Sequence, residues 1–385
     1  MSLSKALLCT LGPSSLNREV IPQLDATGAT AFRINLSHTD LDDLDGFVRL
    51  IRSSTRRPIY IDTEGAQIRT GRMREGTAVE EGERVRLVPE GVEGDPTTIP
   101  LRPGGVVEEL ASGTRLSIDY DSVVVEVDSV GAGIAGATVV TGGEIGTRKS
   151  VTAFPSPQLP VISEKDALAI RYAVAKGIRH FALSFCHNAD GVREIRELIG
   201  PKGSVIAKIE SREGVRHLPE IVHSADAILI DRGDLSREVR LQAIPFLQKQ
   251  IIHEATAAKT PVYVATNLLE SMMARRGPTR AEVNDVINTL LDGADGLVLA
   301  QETAIGRYPV RAARMIAALI HEYESELQGY GVEDLLGHHP LEVKASGASP
   351  PSGAGGTRGG APGAVRGATA TRDSRGATLP RTPRR

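Results

Sequence analysis

Acidic, basic and amide side chains of this 385-residue sequence gather at the ends of six short apolar runs. One run leads into Arg33-Ile34-Asn35-Leu36-Ser37-His38, and the next into Asp62-Thr63-Glu64-Gly65 with Arg69 just beyond. Others carry Lys208-Ile209-Glu210, Asp231-Arg232-Gly233-Asp234, Thr266-Asn267 and Gln301-Glu302-Thr303. Read as strands, the runs put Lys208 and Glu210 on one face, because residues two apart point the same way. Adjacent strands lie about 4.8 Å apart, so Glu210 and Asp234, from consecutive strand ends, come close enough to share one divalent ion. Two carboxylates with room for waters and substrate oxygens suit Mg²⁺ or Mn²⁺. A Lys and an Arg beside such an ion supply positive charge where a phosphoryl group would need stabilising. No His/Cys cluster competes, so zinc is not expected. Plainer readings stand beside these. Strand-end acids also form structural ion pairs, and Asn35, Ser37 and Thr63 are types that cap helices and turns.

The elements that must position these residues alternate. Strands fit Ala6–Thr10, Thr30–Ile34, Pro58–Ile61, His180–Phe185, Ser204–Ile209, Ala227–Asp231, Pro261–Thr266 and Gly296–Ala300. Helices fit Arg18–Ala26, Asp40–Ser53, Glu164–Ala175, Gly191–Ile199, Leu241–Ala258, Arg280–Leu291 and Val310–Tyr323. Strand-helix alternation predicts a parallel sheet covered by helices, and eight strands are the number that closes a TIM barrel. The expected fold is therefore α/β, a (β/α)8 TIM barrel over 1–72 and 150–330. Between them, 73–149 reads as a small all-β insertion of short β-branched runs such as Arg84–Val88, Arg115–Ile118 and Val123–Val127, broken by Gly and Pro turns. The stretch 344–385 is Gly, Ala, Pro, Ser, Thr and Arg with almost no large apolar residue, and reads as a disordered tail.

Hydrophobic residues at 41% and charged residues at 24% are ordinary for a soluble globular chain. Aromatics are only 3% and Trp is absent, so the core must rest on Ala, Val, Ile and Leu. No signal peptide is read at the start and no run approaches the ~18 residues of a membrane span, so the cytoplasm is the expected compartment and no membrane partner is expected. Cys9 and Cys186, each in or at the end of a strand, argue against a disulfide framework and read as inert buried thiols. From Pro351 onward seven Arg and one Asp give +6, so a net charge of −3 leaves the remainder near −9. The basic end lacks interleaved aromatics for base stacking, and nucleic acid is not expected as a partner.

Ten stretches, taken in order, resemble the motif set of pyruvate kinase: CTLGPSS (9–15), FRINLSH (32–38), DTEGAQIRTG (62–71), GGEIGTRK (142–149), LPVISEKD (159–166), AKIESREG (207–214), DRGDLS (231–236), ATNLLESM (265–272), PTRAEVNDV (278–286) and QETAIGRYP (301–309). The resemblance implies phosphoryl transfer between phosphoenolpyruvate and a nucleoside diphosphate such as ADP, giving pyruvate and ATP. It makes Lys208 the phosphoryl- and enolate-stabilising lysine, with Glu210 and Asp234 holding Mg²⁺ or Mn²⁺. Gly233, Asp234 and Thr266 would receive the substrate carboxylate, with Thr266 near the route of enolate protonation. Asn35, Ser37, Asp62 and Thr63 match monovalent-cation (K⁺) ligands. Arg33, His38, Arg69 and Lys149 match residues that bind the transferring phosphoryl group or nucleotide phosphates. The β insertion would be a lid that closes over the cleft, and a barrel-to-barrel homodimer is compatible with the family.

The departures are specific. Glu64 stands where the family usually has Lys, and Ala66-Gln67 replaces Pro-Glu, which leaves the K⁺ requirement open. Ala300-Gln301 replaces Ser-Gly, removing a hydroxyl from the expected proton relay. His187 stands where Arg is common, Tyr120 replaces an Asp of the lid, and Ser236 replaces Gly. They spare the metal, lysine and carboxylate positions, so a different acceptor, or a catalytically silent metabolite-binding protein, remains an alternative function. A lyase or aldolase of the pyruvate-enolate type is a third, against which Arg33, His38, Arg69 and Lys149 argue together. Nothing past the YP-containing helix resembles the family's C-terminal regulatory domain. Substrate half-saturation is therefore expected to stay unchanged when fructose bisphosphate is titrated in, and a clear shift would contradict this.

Overall fold

The computed structural model describes residues 3–65, 67–119, 121–157 and 159–327. Eight parallel strands close into a barrel: β1 (Ala6–Thr10), β2 (Ala31–Asn35), β3 (Ile59–Asp62), β4 (His180–Leu183), β5 (Ser204–Ile209), β6 (Ala227–Asp231), β7 (Val262–Ala265) and β8 (Gly296–Leu299). β8 returns to β1 with Ala6 opposite Gly296 and Cys9 opposite Leu299. The strands are short, aliphatic and buried on both faces, as parallel strands under helices must be.

Alternation along each strand sorts the side chains into two shells. Leu7, Cys9, Phe32, Ile34, Ile61, Phe181, Leu183, Ala207 and Ile209 point outward, into the large core shared with the helices. Leu8, Ala31, Ala182, Ile206, Leu229 and Val298 fill the barrel interior, with Tyr60 and Tyr263 packed against them. Two residues further along each strand, the same inward phase reaches Thr10, Arg33, Asp62, Ser184, Lys208, Asp231 and Ala300. The inward side of the barrel thus changes from hydrocarbon to charge within one strand period, at the carboxyl ends of the strands where TIM barrels carry their chemistry.

The helices cover the outside. Ala189–Ile199 buries Val192, Ile195 and Ile199 on one stripe and is capped by Asn188. Glu164–Ala175 and Arg280–Leu291 each open on a capping box, Ser163 with Asp166 and Thr279 with Glu282. Leu218–Ser224, a short helix with Pro at its first turn, was not expected from the sequence, where seven residues are too few for a clear period. The expected Leu241–Ala258 helix begins instead as a 3-10 turn over Leu241–Ala243 before Ile244–Ala257.

The insertion is a second closed barrel of seven strands. Its own core includes Leu87, Ile99, Leu101, Leu116, Val125 and Val139. Ile68–Thr70 and Ser150–Phe154 belong to it, so its strands run past 73–149 on both sides. They do so because the two crossings pair with each other antiparallel, Ser150 opposite Arg69 and Val151 opposite Ile68. The stretch 344–385 lies outside the described residues. Among those described, no helix is long and apolar enough to cross a membrane.

Cys9 and Cys186 are both fully buried, and burial pushes each thiol up to about 12. Only the thiolate is a nucleophile. At pH 8 the native protein should therefore resist thiol reagents, and both cysteines should label once denaturant is added. Fast labelling of the native chain would contradict this packing.

Candidate active site

A cleft of about 670 Å³ opens at the carboxyl ends of the barrel strands. At its floor the Lys208 ammonium lies 2.6 Å from Glu210 Oε1, 3.4 Å from Asp62 Oδ1 and 3.8 Å from Asp231 Oδ2. It also donates a hydrogen bond to Ser184 Oγ at 3.0 Å. Burial alone would lower the lysine's pKa, but Asp62, Glu210 and Asp231 outweigh it and hold the group above its ordinary range. Lys208 is therefore a fixed positive charge rather than a base. Arg33, equally buried, sits 2.9 Å from Asp62 Oδ2 and donates from Nε to Thr10 Oγ1 at 2.8 Å.

Glu210, Asp231 and Asp234 bring carboxylate oxygens within 4.8 Å of one another, the one group of potential metal ligands of that size among the described residues. Burial pushes Glu210 up to about 8, against the pull of Lys208, with Asp234 and Asp231 adding to the rise. Asp234 is raised by burial and by Asp231, although Arg237 lies 2.9 Å away. Glu210 and Asp234, two crowded carboxylates that resist ionising, with Asp231 beside them, are the donor set a hard divalent cation relieves. Asp231 was quoted in the sequence without a role. Its position at the end of β6, in the inward phase, was the available signal.

Phe185 carries the backbone that fixes Glu210. Its φ of 50° is left-handed, and its N–H donates to Glu210 Oε2 at 2.7 Å. Ser184 donates from its N–H to Thr63 Oγ1 at 2.9 Å and from its hydroxyl to the Thr63 carbonyl at 2.7 Å. Gly65, at φ 73°, lets the β3 loop lie against this pair, since a Cβ there would stand 2.9 Å from Ser184 Cβ. Ser184 was missed because the polar residue closing β4 stands alone, without the acid or base that marked the other strand ends.

On the opposite wall, Thr266 and Asn267 follow β7 with φ of 66° and 56°. Thr266 Oγ1 accepts the Gly233 N–H at 2.8 Å and lies 3.1 Å from Asp231 Oδ1. Arg232 holds the Thr266 carbonyl through Nη2 at 2.8 Å while pairing with Asp285. The Asp234 N–H faces Asp231 Oδ1 at 3.5 Å. Ser236 donates to the Gly233 carbonyl at 2.7 Å.

The remaining expected residues divide. Asn35, Ser37, His38 and Arg69 line the cleft. Asn35 is opposite Asp62 in register and caps the Ser37 N–H. His38 is lowered by burial and by the neighbouring Arg69 charge. Thr63 is buried behind the wall. Lys149 follows Arg148, whose carbonyl Arg69 holds at 3.1 Å, but its ammonium pairs with Asp119 of the inserted barrel at 2.7 Å. Of the departures, Gln301 is exposed on the cleft rim, Gln67 accepts from Arg69 at 2.9 Å, and Glu64 pairs with Lys165 at 3.2 Å. Ala66 and Tyr120 lie outside the described residues.

Removing one member of a buried charge cluster strands the others without water. Asp62→Ala, which leaves Arg33 and Lys208 short of a counter-charge, should destabilise the fold by about 3–5 kcal/mol, read as a lower urea midpoint. A loss under about 1 kcal/mol, the range of exposed pairs, would show the cluster to be hydrated.

The family profile described as "Pyruvate kinase, barrel domain" matches residues 3–313. The chain is 34% identical over 342 residues to the pyruvate kinase of Geobacillus stearothermophilus, covering 85% of this chain and 58% of that protein. It is 32% identical over 340 residues to that of Thermococcus litoralis, covering 86% and 71%. With that of Mycobacterium tuberculosis strain H37Rv the identity is 35% over 325 residues, covering 82% and 69%. The barrel, its inserted second barrel and these matches agree: the chain belongs to the pyruvate kinase family.

Proposed function

We propose that the chain is a pyruvate kinase-like phosphotransferase, moving a phosphoryl group between phosphoenolpyruvate and a nucleoside diphosphate, ADP first among them. The observation that carries this reading is the convergence of Lys208, Glu210, Asp231 and Asp234 at one point of the cleft. Glu210 and Asp234, with Asp231 beside them, would hold Mg²⁺ or Mn²⁺, which when bound supplies a Lewis acid for substrate oxygens. Lys208 and Arg33 provide fixed positive charge for a phosphoryl group in transfer. The Gly233 and Asp234 amides and the Thr266 hydroxyl, bonded here to one another and to Asp231, would turn to a substrate carboxylate. His38 and Arg69 face the cleft where nucleotide phosphates would lie, and Lys149 would join them from the inserted barrel. Asn35, Ser37, Asp62 and Thr63 are proposed to hold a monovalent cation, K⁺ in the family pattern.

In this scheme the P–O bond of phosphoenolpyruvate breaks as one forms to the terminal phosphate of the diphosphate. The enolate left behind takes a proton at carbon to become pyruvate. A different acceptor is favoured by one observation. Gln301 places a long amide on the cleft rim where the motif set has glycine.

The test is a ³¹P product screen with phosphoenolpyruvate, Mg²⁺, K⁺ and a panel of nucleoside diphosphates and small acceptors. Nucleoside triphosphate and pyruvate should form, and Lys208→Met should lower turnover by about 100–1,000-fold, the scale of losing one electrostatic donor. A wild-type chain that transfers phosphate to none of these acceptors would falsify the reading. Transfer only to another acceptor would establish the alternative.

A further inference from the structure

We infer that Asp166 is a positioning residue that clamps both chain crossings between the two barrels and, through them, the wall around Lys208. It is fully buried at the first turn of the Glu164–Ala175 helix. Oδ1 accepts the Glu64 N–H at 2.7 Å, and Oδ2 accepts the Gly65 N–H at 3.0 Å. Those amides lie on the outgoing crossing, between β3 and Ile68–Thr70. On the returning crossing, between Ser150–Phe154 and the helix, Ser163 donates to Oδ2 from its hydroxyl at 2.7 Å and its N–H at 3.4 Å.

Helix capping alone does not account for this arrangement. In the other capping box, Glu282 takes its N-cap N–H at 2.6 Å. At Asp166 the equivalent bond is the longest of the set, and shorter ones reach amides a hundred residues away in sequence. Burial pushes the Asp166 carboxyl up, opposed by these hydrogen bonds to Ser163, Glu64 and Gly65. The neighbouring Lys165 extends the clamp, donating to the Leu36 carbonyl at 2.5 Å and pairing with Glu64. That carbonyl belongs to the turn bearing Ser37 and His38.

From Gly65 the connection continues inward. Gly65 packs on Ser184 and Phe185, whose hydroxyl and amide hold Lys208 and Glu210. One carboxylate therefore sets both the root of the inserted barrel and the back of the charged floor.

Asp166→Asn keeps the shape but turns an amide NH₂ toward at least one backbone N–H, of Glu64 or of Gly65 and Ser163, which can only donate. Hydrogen exchange of the full chain reads the result without any turnover. Peptides over 62–70 and 154–163 should both exchange about tenfold faster or more, as lost buried hydrogen bonds imply, while those over β5 and β6 stay unchanged. If that variant does not fold, Ser163→Ala removes one donor from the returning crossing only, and it should still quicken exchange at Glu64 and Gly65. Faster exchange at one crossing alone, or an equal rise across the barrel, would overturn the clamp and leave an ordinary buried acid. The kinetic arm rests on the function proposed above. There the KM for the nucleoside diphosphate should rise about fivefold or more, since its phosphates meet Arg69 beyond the clamp, with a smaller rise in KM for phosphoenolpyruvate, whose site the clamp reaches only through Gly65 and Ser184. Failure of the wild type to turn over would sink that function and leave exchange to decide the clamp.

Discussion

An ammonium group taken out of water loses several kcal/mol of hydration unless carboxylates and hydrogen bonds replace it with good geometry. Lys208 meets that condition with Glu210, Asp62, Asp231 and the Ser184 hydroxyl. Those four groups come from β3, β5, β6 and the end of β4, so the charge is balanced only when the barrel is closed and in register. Arg33 depends on the same Asp62 from the other side. The fold thereby provides what no short peptide could, a water-poor point where positive charge and crowded carboxylates coexist.

The same closure explains why the strained backbone lies where it does. Phe185, Thr266 and Asn267 take left-handed conformations just past the strand ends, where the chain must turn sharply while presenting an amide or hydroxyl inward. Such conformations cost of order 1–3 kcal/mol each and persist when their surroundings over-determine them. Arg232 with Asp285 surrounds the Thr266 turn, and Ser184 with Gly65 surrounds Phe185. Of the four left-handed non-glycine residues Phe185, Lys259, Thr266 and Asn267 that the first barrel shows among its described residues, three lie at the end that carries the buried charge, above an interior of hydrocarbon and tyrosine.

Much of this was legible in the sequence, since strand alternation is a strong signal and most strand ends carried obvious polar clusters. β1, β5 and β6 have the expected limits. What escaped was whatever depended on contact between distant segments. Asp166 reads locally as a capping residue, and only the folded chain shows its bonds to Glu64 and Gly65. Ser184 is a lone hydroxyl whose meaning comes from the lysine across the sheet. Lys149 was already placed in the insertion by the sequence, and what the fold adds is its pairing with Asp119. Two strands of the inserted barrel were missed because Ile68–Thr70 is three residues long and Thr98–Arg102 contains a proline.

The pairing of Arg69 with Ser150 and Ile68 with Val151 bears on how the chain assembles. Strands β3 and β4 are hydrogen-bonded neighbours although roughly 120 residues separate them, and closing so long a loop is entropically costly and slows folding. An inserted barrel that forms first brings the two ends of that loop side by side, leaving only short tethers to close. The insertion would then act during synthesis as an internal splint, and damage to its interior would be felt as slow or failed closure of a barrel whose own residues are intact.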